Sequence, residues 1–147
     1  MNIVEKDAMS VIGIIVARDW QGLIRDMPVK WEEFKSRLTE IKQRKTDIMM
    51  DISLEKLEQT YTQFICVEVE QDAEVPEGME KMVIPSASYL HHKHDGSLVA
   101  IAQTFGDMYQ YGKEHELALE EMKIDIGYTI QGTETSHDLY IKINGIA

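Results

Sequence analysis

The sequence predicts an α+β fold, with an antiparallel sheet and two helices on one of its faces, because the same order of elements occurs twice. In each half, a strand is followed by a helix and two further strands. Gly22 and Gly96 hold equivalent places before the two helices, about half the chain apart. Between the halves lies "QDAEVPEGM", residues 71–79, which is acidic and has no periodicity. We predict one domain, residues 1–147, made of pseudo-symmetric β-α-β-β half-units at about 9–70 and 80–144.

The first half-unit opens with "MSVIGIIVAR", residues 9–18, which is rich in β-branched residues and is predicted to be a strand. A loop, "DWQGLIRDM", is expected to follow. Proline is favoured at the first helical position, so we expect the helix to begin at Pro28, with Asp26 as a cap just upstream. Its apolar stripe has spacings of three and four and consists of Trp31, Phe34, Leu38 and Ile41.

Two alternating segments complete this half. "TDIMMDISLE", residues 46–55, and "YTQFICVEVE", residues 61–70, each have one consistently apolar face at a spacing of two residues and predict two strands joined by a turn around 56–60. In the second strand, Ile65, Val67 and Val69 face one way. Phe64, Cys66 and Glu68 face the other way.

The second half-unit repeats this order. "MVIPSASYLHHKH", residues 82–94, predicts one strand, and "DG" predicts a turn. "SLVAIAQTFGDMYQYG" predicts a helix capped by Ser97 and ended by Gly112. "KIDIGYTIQ" and "HDLYIKIN" predict the last two strands. Strand alternation separates His91 from His92 and His94, so we predict neither a metal site nor another cofactor.

Composition excludes several classes of function. The formal net charge of −11 disfavours direct binding to nucleic acid or to anionic lipid. No apolar run approaches the ~20 residues needed to cross a bilayer, and the N-terminus does not resemble a signal peptide. The single cysteine, Cys66, suits a reducing cytoplasm, where we expect the protein to be.

The second face of the predicted sheet has no helix to cover it. It would carry Phe64, Cys66 and Glu68 together with Asp138, Tyr140 and Lys142. A concave face with aromatic and carboxylate side chains suits a small molecule. We therefore expect the ligand cleft on the face opposite to the helices.

Three stretches give the chain a family resemblance: "VIGIIVARDW", "YTQFICVEVE…VPEGMEKMVIPSASYLHHKHDG" and "IGYTIQG…HDLYIKI". Together they resemble the GyrI-like small-molecule-binding domains, the effector-binding domains of bacterial transcription activators. The resemblance implies two pseudo-symmetric units with a cleft for hydrophobic, often cationic compounds. No helix-turn-helix is expected before the first strand, so the chain resembles the free-standing members.

One departure from the family concerns its buried glutamate, which commonly stands two residues before a tyrosine. Here the tyrosine is Tyr128, and Ile126 occupies the glutamate's place. Strand alternation places the adjacent Asp125 on the opposite face from Tyr128. Some relatives resemble hydrolases that use a glutamate and a tyrosine, and this chemistry cannot simply be transferred. Glu68, on a neighbouring strand, is a candidate for the missing charge.

These observations favour a regulatory or sequestering protein that binds a small hydrophobic, possibly cationic, molecule. The candidate ligand-binding residues are Trp20, Glu68, Tyr89, Tyr109, Tyr128 and Tyr140. Each has an ordinary structural alternative, such as a solvated glutamate or a packed strand aromatic. Two other functions stay open: a hydrolase using Glu68 and Tyr128, and an acidic module that occupies a basic site on a DNA-handling enzyme. A protein partner or a homodimer also stays open.

Overall fold

The computed structural model describes residues 1–144, which form eight strands and two α-helices. A short 3₁₀ turn, Leu38–Glu40, follows the first helix, and another, Leu98–Ala100, precedes the second. In chain order the elements are β1 (Asn2–Lys6), β2 (Met9–Arg18), α1 (Trp20–Arg37), β3 (Arg44–Leu57), β4 (Thr60–Val69), β5 (Glu80–Ile84), β6 (Ala87–Asp95), α2 (Ile101–Glu114), β7 (Leu119–Tyr128) and β8 (Ser136–Ile143).

The eight strands form a single antiparallel sheet in the order β1-β6-β8-β7-β3-β4-β2-β5. From the central pair β7–β3 outward, the order β7-β8-β6 on one side repeats β3-β4-β2 on the other. The edge strands exchange sides: β1 pairs with β6 of the second half, and β5 pairs with β2 of the first half. Each half therefore completes the sheet edge of the other.

Both helices lie on the same face of the sheet. Helix α1 packs on β2 and β4, where Phe34 and Leu38 join a buried cluster with Ile65. Helix α2 packs on β6 and β8 through Met108 and Leu139. Cross-strand pairing shows that the two helices cover the same face. Leu139 under α2 pairs with Asp125, Asp125 pairs with Asp51, and Asp51 pairs with Ile65 under α1. Directly paired residues point to the same side of a sheet, so all four side chains share one face. The predicted fold class is confirmed.

The other face of the sheet contains a second hydrophobic core. Side chains from neighbouring strands pack against one another there without a helix among the described residues. Phe64, Cys66, Ile52 and Ile124 are all fully buried, and Tyr89 is 1% exposed. This burial means that the sheet's own side chains and its edge strands close the face. The described part of the chain contains no helix long and apolar enough to cross a membrane.

Helix α1 begins earlier than predicted. The Asp19 carboxylate caps it by accepting a hydrogen bond of 2.8 Å from the backbone N–H of Gly22, and Pro28 lies inside the helix. A proline there removes one helical hydrogen bond. The helix continues through it because an apolar stripe on both sides of Pro28, including Leu23 and Phe34, is buried against the sheet. Tertiary packing therefore outweighs the local signal.

Other boundaries also differ from the predicted ones. The predicted strand 82–94 is two strands, β5 and β6. The chain is interrupted at Pro85, because proline has no backbone N–H to donate to a neighbouring strand. Strand β1 was not predicted. Ser97 makes no side-chain capping bond, and α2 continues past Gly112 to Glu114. A Cβ atom on Gly112 would lie 2.5 Å from Leu119, so this glycine allows close packing rather than ending the helix.

Candidate functional site

A cavity of about 730 Å³ opens between α1, the Leu98–Ala100 turn and the centre of the sheet. One wall consists of α1 side chains: Trp20, Leu23, Ile24, Met27, Pro28 and Trp31. Leu98 and Val99 lie at its second edge, and Tyr61 closes it from β4. The expectation that the cleft lies on the face without helices is therefore wrong. That face is filled by its own core, whereas the helix face is open at its centre.

The cavity exists because the central strands are polar on the face that the helices share. Helix α1 packs over β2 and β4, and α2 packs over β6 and β8, so neither helix covers the middle of the sheet. There β3 presents Asp51 and Ser53, and β7 presents Glu121 and Lys123. Polar side chains at these positions give a helix no apolar surface to bury, so the two helices stay apart over them.

Three carboxyl groups line this cavity, and Asp51 at its base is the least exposed of them, because Glu55 and Glu121 are both exposed. Its Oδ1 accepts a hydrogen bond of 2.9 Å from the Gln63 side-chain amide, which also donates to Ser53 at 3.0 Å. Desolvation raises the pKa of Asp51 to about 7, and the nearby carboxylate of Asp125 contributes to the rise, while the Gln63 hydrogen bond acts in the opposite direction. A carboxyl group in this setting gains from any cation that enters the cavity.

Asp125, the cross-strand neighbour of Asp51, belongs to a buried hydrogen-bond network. The Tyr128 hydroxyl donates to Asp125 Oδ2 at 2.6 Å, and His137 Nδ1 lies 2.7 Å from Asp125 Oδ1. Burial, followed by the charge of Asp125, raises the pKa of Tyr128 far above its usual range. Burial alone would lower the pKa of His137, but its hydrogen bond and charge interaction with Asp125 outweigh that effect and raise it.

This network supports the cavity wall from below. The Tyr128 ring packs against Trp31, with the ring centroids 4.4 Å apart, and meets the His137 ring edge to face at 4.7 Å. Trp31 lines the cavity, so the position of its indole depends on Tyr128 and on the carboxylate that holds Tyr128. Asp125 and His137 are only 5% and 1% exposed and do not line the cavity. They stabilise its wall from behind.

Asp125 and Tyr128 share one face, contrary to the prediction from strand alternation. The register explains the difference: Met49 pairs with Tyr128 and Met50 with Ile126, so Gly127 is an extra residue in β7. Its φ of +149° is a conformation that glycine adopts readily. The bulge rotates Tyr128 onto the face of the residue three places before it, which is Asp125. A glycine inside an alternating strand was the available signal for this bulge.

The six residues predicted to bind a ligand do not converge on this cavity. Trp20 lines it and meets Tyr61 edge to face, with the ring centroids 5.7 Å apart. Tyr128 lies beneath Trp31. Tyr109, on α2, donates through its hydroxyl to the Glu120 carbonyl at 2.7 Å and lies behind Lys123 of the cavity.

The other three residues are on the opposite face. Tyr89 and Tyr140 form an edge-to-face pair with centroids 6.0 Å apart, and Glu68 lies 3.8 Å from the Lys45 ammonium. Glu68 and Tyr128 therefore face opposite sides of the sheet, and the hydrolase that would use both in one cleft is ruled out. Asp51 was missed. The sequence feature that could have indicated Asp51 is its position two residues after Met49, which places a carboxyl group on the strand face that packs towards the helices.

Comparisons with known proteins agree with this architecture. A family model described as Cass2, integron-associated effector binding protein, matches residues 2–143. SAV2435, solved bound to tetraphenylphosphonium, is 10% identical with a TM-score of 0.77, over 98% of this chain and 93% of that one. The C-terminal domain of EcmrR is 11% identical with a TM-score of 0.70, over 99% and 97%.

The integron cassette protein VCH_CASS2 of Vibrio cholerae is 11% identical with a TM-score of 0.60, over 97% of this chain and 95% of that one. At these identities the solved structures show a shared fold. A search of curated proteins found no match. Because the family model matches the chain from its first strand to its last, the chain belongs to the Cass2 family of integron-associated effector binding proteins, which have the predicted GyrI-like fold.

Proposed function

We propose that this protein binds a hydrophobic aromatic cation in the cavity beneath α1, with Asp51 as the countercharge, and that it acts as a regulator or a sequestering protein. The observation that carries the proposal is the place of Asp51, a desolvated carboxyl group in a cavity whose walls include the rings of Trp20, Trp31 and Tyr61. An organic cation would find both an apolar enclosure and an opposite charge there.

Each part of the cavity contributes a different interaction. The aromatic rings present the negative faces of their π systems, which attract a cation within about 6 Å. Asp51 attracts it more strongly, because charges interact over a low effective dielectric constant inside a cavity. Met27 adds an adaptable apolar contact, as thioether side chains conform to varied shapes. The net charge of −11 also favours the approach of a cation over that of an anion.

Two relatives support the proposal. SAV2435 was solved with tetraphenylphosphonium, which is a hydrophobic aromatic cation. EcmrR was solved in a complex with DNA, in which the matching domain is one part of a longer chain. A domain of this fold can thus be part of a chain that binds DNA, and the regulatory role proposed for the present protein follows that precedent.

The proposal is tested by titrating the protein with tetraphenylphosphonium and with tetraphenylborate, which has nearly the same shape and the opposite charge. Both tryptophans of the chain line the cavity, so their fluorescence reports directly on its occupancy. We expect the cation to bind at least about tenfold more tightly than the anion, because the Asp51 charge attracts the cation and repels the anion. Equal affinities, or no response to the cation at about 1 mM, the scale of weak binding, would refute the proposed function.

A further inference from the structure

The cavity also contains a cation of its own, Lys123, on β7. We propose that its ammonium forms a second subsite for an anionic oxygen, so that the preferred ligands are amphoteric aromatic compounds that carry a carboxylate in addition to the cationic centre. The inference rests on the proposed function, because it assigns the cationic centre to Asp51. It differs from that function in specifying a second charge on the ligand.

Lys123 is held in place by groups that leave part of its hydrogen-bonding capacity unused. Its Nζ donates to the Glu121 carbonyl at 3.0 Å and to the Tyr109 hydroxyl at 3.4 Å. An ammonium has three N–H donors, and the described residues offer these two hydrogen-bond acceptors. The Glu121 carboxylate is 3.9 Å away, beyond hydrogen-bond distance, and its side chain is 68% exposed. One donor therefore remains for a ligand.

The surroundings of Lys123 make that donor strong. The ammonium lies 5.9 Å from the Phe105 ring centroid and 5.5 Å from the Tyr109 ring centroid, and the side chain is 21% exposed. Burial lowers the pKa of Lys123, while the charges of Glu121 and Asp51 act in the opposite direction. A partly dehydrated ammonium gains more from an anionic acceptor than a solvated one does. Lys56, the other cavity lysine, is exposed at the rim, over the Tyr61 ring.

Lys123 and Asp51 are close but separate. In the sheet, Ser53 is directly opposite Lys123, and Asp51 is directly opposite Asp125. Asp51 and Lys123 are thus diagonal neighbours, a relation that places Cα atoms about 7–8 Å apart. No ion pair joins them in residues 1–144, where the carboxylate within 4 Å of Lys123 is that of Glu121. The floor of the cavity therefore presents a negative and a positive group side by side, which matches a ligand with both charges.

The test uses two dyes that differ in one group. Rhodamine 123 is a flat aromatic cation with a methyl ester, and rhodamine 110 has the same ring system with a free carboxylate. We expect rhodamine 110 to bind at least about tenfold more tightly in fluorescence-polarisation titrations at pH 8, which is the size of a charge-assisted hydrogen bond. Lys123→Met is expected to abolish this preference without abolishing the binding of rhodamine 123.

Lys142→Met is the matched control, because Lys142 is also a strand lysine but lies on the opposite face, 3.5 Å from Glu120. It should keep the preference. If Lys123→Met does not fold, as judged by circular dichroism, Lys123→Gln replaces it with the same expectation. The subsite is overturned if the ester binds as tightly as the acid, or if the preference survives the loss of Lys123. In either case, binding of rhodamine 123 would leave the proposed function standing, whereas binding of neither dye would overturn both.

Discussion

Replacing Asp51 by asparagine should stabilise the protein at alkaline pH. The pKa of Asp51 is raised to about 7 because its charged form is desolvated and faces Asp125. In the unfolded chain the group titrates near 3.8, the value of an unperturbed aspartate. The folded protein therefore binds this proton more tightly than the unfolded chain does. The protonated Asp51 therefore contributes to the free energy of unfolding. This contribution is fully present below about pH 4 and is lost as the pH rises towards 7.

The size of the loss follows from the two pKa values. A shift from 3.8 to about 7 corresponds to roughly 4 kcal/mol at about 1.36 kcal/mol per pH unit. Water can enter the cavity that Asp51 lines and screens part of this penalty, so about 2–4 kcal/mol is the expected range. For a chain of this length, that is a rise in Tm of about 5–15 °C at pH 8. The amide introduced by the substitution keeps an oxygen that can accept the Gln63 hydrogen bond.

The assay is thermal unfolding, followed by circular dichroism, of the wild type and of Asp51→Asn at pH 4, 6 and 8. The difference in Tm should be near zero at pH 4 and should grow with pH until about pH 7. Asp47→Asn is the matched control on the same strand, because the Asp47 side chain is 70% exposed. It should change Tm by no more than about 2 °C, the usual size of a surface effect. A difference for Asp51→Asn that is independent of pH would refute this reasoning.

Three further substitutions test the surroundings of the cavity. Trp20→Ala should weaken tetraphenylphosphonium binding severalfold and leave Tm nearly unchanged, because Trp20 is 59% exposed; a normal affinity would exclude it from the site. Tyr128→Phe should cost about 1–3 kcal/mol in urea unfolding, because Asp125 loses a hydrogen-bond donor. Gly127→Ala should cost about as much, since φ is +149° and the new Cβ would lie 2.9 Å from the Ser136 carbonyl oxygen; unchanged stability would contradict the bulge.

The fold class could be predicted because alternation and helical periodicity are properties of single segments. The repeated strand–helix–strand–strand order is visible without knowing which strands pair. The start of α1 was wrong because the burial of Leu23 against the sheet is a tertiary effect, and it carries the helix through Pro28. Strand β1 was missed because its residues gain their order from pairing with β6, a strand of the other half-unit that is distant in the sequence.

The candidate site was harder to predict because it depends on register. The face on which a strand residue lies relative to the helices is set by pairing across the sheet, and one bulge at Gly127 reverses it. Alternation alone therefore separated Asp125 from Tyr128, which are hydrogen-bonded. Alternation also cannot show which face of the sheet holds the cavity. Glu68 and Tyr140 were therefore predicted to line it, although they lie on the opposite face. Of the predicted ligand-binding residues, Trp20 lies in the cavity wall.

The most direct test of the role of Asp51 is the affinity of the wild type and Asp51→Asn for tetraphenylphosphonium, measured by isothermal titration calorimetry at pH 8 and pH 6. At pH 8 the substitution should weaken binding by about 10- to 100-fold, because two opposite unit charges about 6–10 Å apart attract each other by roughly 1.5–3 kcal/mol at an effective dielectric constant near 20. At pH 6 the gap should narrow, because the wild-type carboxyl is then largely protonated before the cation binds. Equal affinities at pH 8 would contradict the account.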